Sequence, residues 1–310
     1  MIRRIVCFAL ALLFVLSAFP AGGEVVDEST DGATEYPPAV YDFSRRKYDS
    51  YTSDTLVFTI ETFNMAGTKC VLTKIWVRDP ARQIRKANAP WKEKLADPKE
   101  LTKLVPGAVL STNASGYITK TYPDLPENYP GDPSDYYNTT LGSLVITDRE
   151  ILRRLDGVPF YGLALSEDGI SMYQGADNAL VLATDPCQTW AFFEVCAIQV
   201  NGTELLPGKD APKTAKETEL VQEKHARTVL ARVNRNNYLM LHVPYGKSYR
   251  GLDLYQVSAF FSANFKTEWV YNLDGGYSTA LIHKPQTKNA RLQRLVPNVQ
   301  QVADILCFTE

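Results

Sequence analysis

The stretch Asn272-Leu273-Asp274-Gly275-Gly276-Tyr277-Ser278 sets an amide, a carboxylate and a hydroxyl on one short bend between two apolar runs. A carboxylate held in this way can take a proton from water, attack an electrophilic carbon, or stabilise positive charge developing beside it. The glycines make the bend cheap, because a residue without Cβ enters positive φ freely and leaves room for a ligand to approach the backbone. Residues 269–271 read as the end of a buried strand and residues 280–282 as a strand resuming, so the polar groups would be carried on rigid backbone. The same residues also describe an ordinary Asp-Gly hairpin, and the rest of the chain has to decide between the two.

Those elements belong to a chain of 310 residues, 45% hydrophobic and 22% charged, which is enough to build a sizeable core. The formal charge of −2 gives no basic surplus of the kind that binds nucleic acid. Tyrosine (17) and phenylalanine (13), with many Val and Thr, favour strands. At the N-terminus, Arg3 and Arg4 precede an apolar run over residues 5–19 and the small residues Ala21-Gly22-Gly23. This is the pattern of a cleaved signal peptide over residues 1–23, and it predicts a secreted, periplasmic or cell-envelope protein with no membrane span once the signal is removed. The apolar run is short for a full span.

Four cysteines remain outside that segment: Cys70, Cys187, Cys196 and Cys307. An exported chain allows them to form disulfides, and four buried thiols are the equal alternative. Cys187 and Cys196 flank a strand-like segment, which would hold them too far apart to bridge. His225, His242 and His283 are scattered and no CxxC occurs, so the sequence predicts no metal site and requires no cofactor.

Acidic, aperiodic residues 24–53 read as a linker, and residues 54–310 as the functional domain. Alternating apolar positions predict strands near residues 55–61, 70–78, 105–113, 144–147, 162–165, 170–173, 180–184 and 190–200. Residues 227–233 and 238–243 read as a hairpin across Asn236-Asn237. Helices are expected at residues 97–104, with Asp97 as cap and Pro98 at the first helical position, and at residues 252–264. Residues 121–140 and 207–223 read as surface loops. The resulting class is α+β, mainly mixed or antiparallel β-sheet with a few helices.

The order of these pieces resembles the phosphodiester glycosidase family, including its exported, exopolysaccharide-related members. That family carries a strand ending in an Asn-Gly-Gly/Asp turn, an Asn-Pro-Arg-Thr strand, a Gly-Met-Thr-Leu helix start and an Asn-Leu-Asp-Gly-Gly-Gly-Ser turn. Here the corresponding pieces are Leu110-Ser111-Thr112-Asn113-Ala114-Ser115-Gly116, His225-Ala226-Arg227-Thr228, Arg250-Gly251-Leu252-Asp253-Leu254 and Asn272-Leu273-Asp274-Gly275-Gly276-Tyr277-Ser278. The chain departs from the family at several glycines: Tyr277 stands at the third glycine of the last motif, and Ala231 at the glycine after the Arg-Thr strand.

The resemblance implies hydrolysis of the bond between a sugar anomeric carbon and a phosphodiester. The departing phosphomonoester is already a stable anion, so the site has less need of a strong general acid than an ordinary glycosidase. It also implies a set of roles. Asp274 is the catalytic base or nucleophile. Arg227 is the catalytic phosphate holder, its planar fork matching two phosphate oxygens. Asn113, Thr228, Asn272, Gly275, Gly276 and Ser278 bind a carbohydrate or sugar-phosphate substrate. Glu194 is a distant candidate for a second carboxylate. The glycine losses leave open the alternative of a relative that binds sugar phosphate without turning it over.

Overall fold

The computed structural model describes residues 41–310 except 126–128, 193–195, 209–214, 247–249, 288–289 and 297–299. The expected signal segment and residues 24–40 of the expected linker lie outside the described residues, as does Glu194.

Among the described residues the strands, numbered in chain order, form four sheets, and each pair of named strands is antiparallel. The largest holds eight in the order β1 (Tyr41–Thr52), β2 (Leu56–Met65), β3 (Thr68–Val77), β14 (Asn237–Val243), β13 (Arg227–Arg232), β15 (Trp269–Asn272), β11 (Ala197–Val200) and β12 (Thr203–Glu204). A five-stranded sheet runs β17 (Gln293–Val296), β16 (Leu281–His283), β5 (Ala108–Asn113), β18 (Asp304–Thr309) and β4 (Ile84–Asn88). A three-stranded sheet runs β10 (Gln188–Trp190), β8 (Phe160–Ser166) and β9 (Gly169–Ala176), and β6 (Leu144–Thr147) pairs with β7 (Glu150–Arg154).

Short helices α1 (Pro80–Gln83), α2 (Pro98–Leu104) and α3 (Asn178–Ala183) connect strands, while α4 (Ala215–Gln222) and α5 (Leu254–Asn264) cover the large sheet. Asp97 caps α2 by accepting the Lys99 N–H at 2.9 Å, with Pro98 at the first turn. A capping box of Asp253 and Gln256 starts α5.

The large sheet is buried on both faces. Leu230, Met240 and Tyr271 join the core shared with the smaller sheets. Their neighbours Val229, Ala231, Leu239, Leu241 and Val270 pack with Val257, Phe260 and Phe261 of α5. Apolar residues therefore occupy consecutive positions in β13 and β14 instead of alternate ones.

The structure corrects four sequence expectations. Residues 41–52 of the expected linker form an edge strand paired along β2. Residues 180–184, expected as a strand, fall in and just after α3, because Asp177 accepts the Ala179 N–H at 2.6 Å and caps a helical turn. The expected loop 207–223 contains α4. Of the strand expected at residues 190–200, Trp190 ends β10 and Ala197–Val200 form β11 in a different sheet, so these apolar residues serve two burial sites. Cys70, Cys187, Cys196 and Cys307 are free thiols, and Cys70, Cys196 and Cys307 are buried.

Candidate active site

The Asp-Gly-Gly bend is not a hairpin. It leaves β15 of the large sheet and enters β16 of the five-stranded sheet, so it bridges the two. Main-chain bonds lace it to both sides. Leu273 N–H donates to Thr228 O at 2.8 Å, Gly276 N–H to Ala226 O at 2.9 Å and Asp274 N–H to Ala114 O at 2.9 Å.

Asn113, the last residue of β5, fastens the bend from beneath. Its Nδ2 donates to Asp274 O at 2.6 Å, and its Oδ1 accepts from Thr228 Oγ1 and from Ala280 N–H, both at 2.9 Å. Thr112 Oγ1 lies 2.9 Å from Nε2 of the buried His242, which extends this polar chain. Asn113 and Thr228 are thus engaged by the protein itself and hold the turn in shape. Asn272 is similarly turned inward, with Nδ2 donating to Leu273 O at 2.9 Å.

Both glycines have steric reasons. A Cβ on Gly275 would stand 2.6 Å from Ala226 O, so only glycine permits this approach of turn to strand. Gly276 has φ +58° and opens to free space.

The Asp274 carboxyl is held with one oxygen, Oδ2, buried and without a hydrogen-bond partner among the described residues. Burial pushes its pKa up from 3.8 to about 7, against the opposing pull of bonds from the Ser278 hydroxyl and the Gly275 N–H; the Asp304 charge adds to the rise. Ser278 Oγ also lies 3.2 Å from the Tyr117 hydroxyl and accepts from Gln300 Nε2 at 3.2 Å. A carboxyl with a raised pKa therefore sits beside a chain of hydroxyl and amide groups, in which the Tyr117 hydroxyl donates to Gln301 O at 2.7 Å.

Behind it lies a buried ion pair, Lys86 Nζ to Asp304 Oδ2 at 3.0 Å, both side chains fully inaccessible. Asp304 also accepts the Ser115 N–H and hydroxyl, both at 2.7 Å, and Ser115 Oγ accepts from Ala191 N–H at 2.8 Å. Lys86 donates to Thr189 O. Burial pulls the Lys86 pKa down, and Asp304 opposes that fall. The sequence reading did not place Lys86, Asp304, Tyr117 or Gln300 in this site, although Tyr117 and Asp304 lie in segments that resemble the family; Lys86 in sequence reads equally as part of a solvated face.

The structure brings together the turn residues, Asn113 and Thr228, but not the Arg227 guanidinium. Neighbours on a strand project to opposite faces. Thr228 faces Asn113, whereas Arg227 faces the helical layer. Its Nε donates to Leu252 O at 3.0 Å, and one Nη to Leu220 O and Glu223 O, both at 2.8 Å. It ties down the C-terminal end of α4, and burial lowers its pKa to about 10. Tyr277, at the position of a family glycine, does not fill the site: its ring is 46% exposed.

Comparison with solved structures supports the architecture. The chain superimposes on the catalytic domain of zebrafish N-acetylglucosamine-1-phosphodiester alpha-N-acetylglucosaminidase, auto-inhibited by its pro-peptide in that structure, with TM-score 0.58 and 18% identity, covering 86% of this chain and 87% of that one. At this identity the likeness speaks to the fold. A hypothetical protein from Synechocystis aligns with TM-score 0.46 and 12% identity over 83% of this chain and 63% of its own. No curated protein matches the sequence. The profile described as phosphodiester glycosidase matches residues 131–303, more than half of the chain and a stretch that contains the Asp274 turn. With the turn, the sheets and that match in place, the chain belongs to the phosphodiester glycosidase family.

Proposed function

We propose that this protein hydrolyses the bond between a sugar anomeric carbon and a phosphodiester, with Asp274 as general base. The observation that carries the reading is the Asp274 carboxyl itself: fixed on a bend clasped by Asn113, partly desolvated, and with a pKa raised to about 7. A base poised near working pH exchanges protons most effectively. In the reaction, water adds to the anomeric carbon as its bond to the phosphate oxygen breaks. The water proton passes to Asp274, and the phosphate leaves as a monoester anion. The Ser278 hydroxyl, which donates to the Asp274 carboxyl, and the Tyr117 hydroxyl, which donates to Gln301 O at 2.7 Å, fix the surroundings of the base, and Gly276 keeps the approach open. Asn113, Thr228 and Asn272 hold the turn, and Arg227 supports it from the helical side.

The substrate class is a sugar-1-phosphodiester in a glycan or cell-envelope polymer, met after export. Arg3, Arg4 and the apolar run that follows support export. Among the described residues no helix is long and apolar enough to cross a membrane.

The test is turnover of a panel of sugar-1-phosphodiesters by purified protein. Asp274→Asn should lower kcat/KM by about a thousandfold or more while leaving the fold intact. In the wild type, kcat/KM should rise with pH through about 7, as the base ionises. Retained turnover in Asp274→Asn would overturn the assignment. No wild-type turnover across the panel, combined with tight sugar-phosphate binding, would make the chain a binding relative that has lost the chemistry.

A further inference from the structure

Cys70, Cys196 and Cys307 are buried, whereas Cys187 is half-buried and lines an open cavity of about 330 Å³. The walls of that cavity come from α1, the start of β4, the β6–β7 and β8–β9 turns and the link from α3 to β10, and they include no residue of the Asp274 bend. The β6–β7 turn is a two-residue bend in which Asp148 and Arg149 have φ +49° and +69°. It is fastened to the cysteine itself, because the Arg149 N–H donates to Cys187 O at 3.0 Å.

Three arginines, Arg82, Arg85 and Arg149, and three acids, Asp148, Glu167 and Asp185, line the space, so the formal charges of its wall cancel. Gln188 also lines it and is 1% exposed. Its Nε2 donates to Asp148 Oδ1 at 2.8 Å, which fixes the carboxamide, while its Oε1 is buried with no donor among the described residues. A buried acceptor held in that way suits an N–H or ammonium group brought by a ligand. Arg85 suits the opposite charge. Its Nη1 donates to Ala81 O and Ile84 O, both at 2.9 Å, and the rest of the fork, without a partner among the described residues, matches a carboxylate.

We infer that this cavity captures a zwitterionic amino-acid disulfide and joins one half of it to Cys187. The carboxylate of the captured half meets Arg85, its ammonium meets Gln188 Oε1 and the acids, and its sulfur meets Cys187 Sγ. The step is thiol–disulfide exchange. The Cys187 thiol gives its proton to solvent, and the thiolate attacks one sulfur of the ligand. A new S–S bond forms as the old one breaks, and the second half departs as a thiolate that takes up a proton. One disulfide is consumed and one is made, so no further oxidant enters. Burial raises the Cys187 pKa against the pull of Arg85 and Arg149, so thiolate is scarce at neutral pH and the wall contributes by holding the disulfide in place. The assignment does not depend on the chemistry of Asp274.

The test incubates the purified full chain with four disulfides in turn: cystine, cationic cystamine, anionic dithiodiglycolate and neutral hydroxyethyl disulfide. Intact mass and peptide mapping follow the adduct at about pH 8, where more of the thiol is ionised. Each rate is divided by the rate of the same disulfide with a short peptide carrying the Cys187 sequence, which removes differences in leaving group. Cystine should add one cysteinyl group, at Cys187, reversibly to dithiothreitol. Its normalised rate should exceed each of the other three by about tenfold, the effect of one modest set of contacts. Arg85→Ala with Arg149→Ala should bring the four normalised rates close together, and Cys187→Ser should remove the adduct. Equal normalised rates in the wild type overturn the proposal without recourse to any variant. So does a cationic or anionic disulfide that outpaces cystine, or the absence of an adduct at Cys187.

Discussion

Asp274 combines two opposed demands at a single residue. Its pKa of about 7 in the folded protein, against 3.8 ordinarily, means that the native state keeps a proton which the unfolded chain has released by neutral pH. Stability is therefore lost through this group as pH rises from about 4 to 7, and the loss is complete above that window. Asp274→Asn carries no charge to desolvate, so it should stabilise the protein by about 2 kcal/mol at about pH 8 and by little at about pH 4. Urea melts at the two pH values check this, and an equal effect at both would contradict burial as the cause. The glycines beside it separate just as cleanly. Gly275→Ala should destabilise by about 2 kcal/mol and reduce turnover, because its Cβ meets Ala226 O at 2.6 Å. Gly276→Asn should be tolerated within about 1 kcal/mol, because the space is open and asparagine accepts left-handed φ. Thermal melts of the two variants side by side decide it.

At the level of elements, β13 assigns its two polar residues to different layers. Thr228 meets Asn113 under the bend, while Arg227 fastens Leu220, Glu223 and Leu252 on the helical side. Arg227→Ala would leave three carbonyls without that donor, and the expected loss is about 3 kcal/mol. Arg227→Lys should recover little, since an ammonium lacks the planar fork. Denaturation curves test the claim; an undiminished midpoint with lost turnover would return Arg227 to a direct role in the reaction. The sequence made both residues visible as a pair but not their division of labour. Period-two alternation puts them on opposite faces, yet β13 is buried on both faces, so the pattern alone does not tell which face adjoins the carboxyl. In the same way α3 was hidden because the apolar run at residues 180–183 serves a short helix as readily as a strand.

Across the whole molecule, the Lys86–Asp304 pair ties β4 and β18 to the three-stranded sheet through Thr189, and to the strand-end Ser115 beside the site. Lys86→Met would strand the Asp304 charge in the interior and should destabilise by about 3–5 kcal/mol, whereas adding Asp304→Leu should recover most of that loss. A double-mutant cycle measures it, and additive losses would show that the two charges do not depend on each other. The sequence by itself determined the class of fold, the α2 cap, the α5 helix, the β13–β14 hairpin and the place of the Asp-Gly-Gly bend at a strand end, because each depends on neighbours within a few residues: backbone permissiveness, a capping side chain and local apolar period. Tertiary structure alone decided that the bend crosses between sheets, that Asn113 clasps it, that Lys86 and Asp304 stand behind it and that Arg227 turns away. Those outcomes depend on groups far apart in the chain meeting in low dielectric, where hydrogen-bond satisfaction and desolvation, and not local propensity, fix each polar side chain's partner.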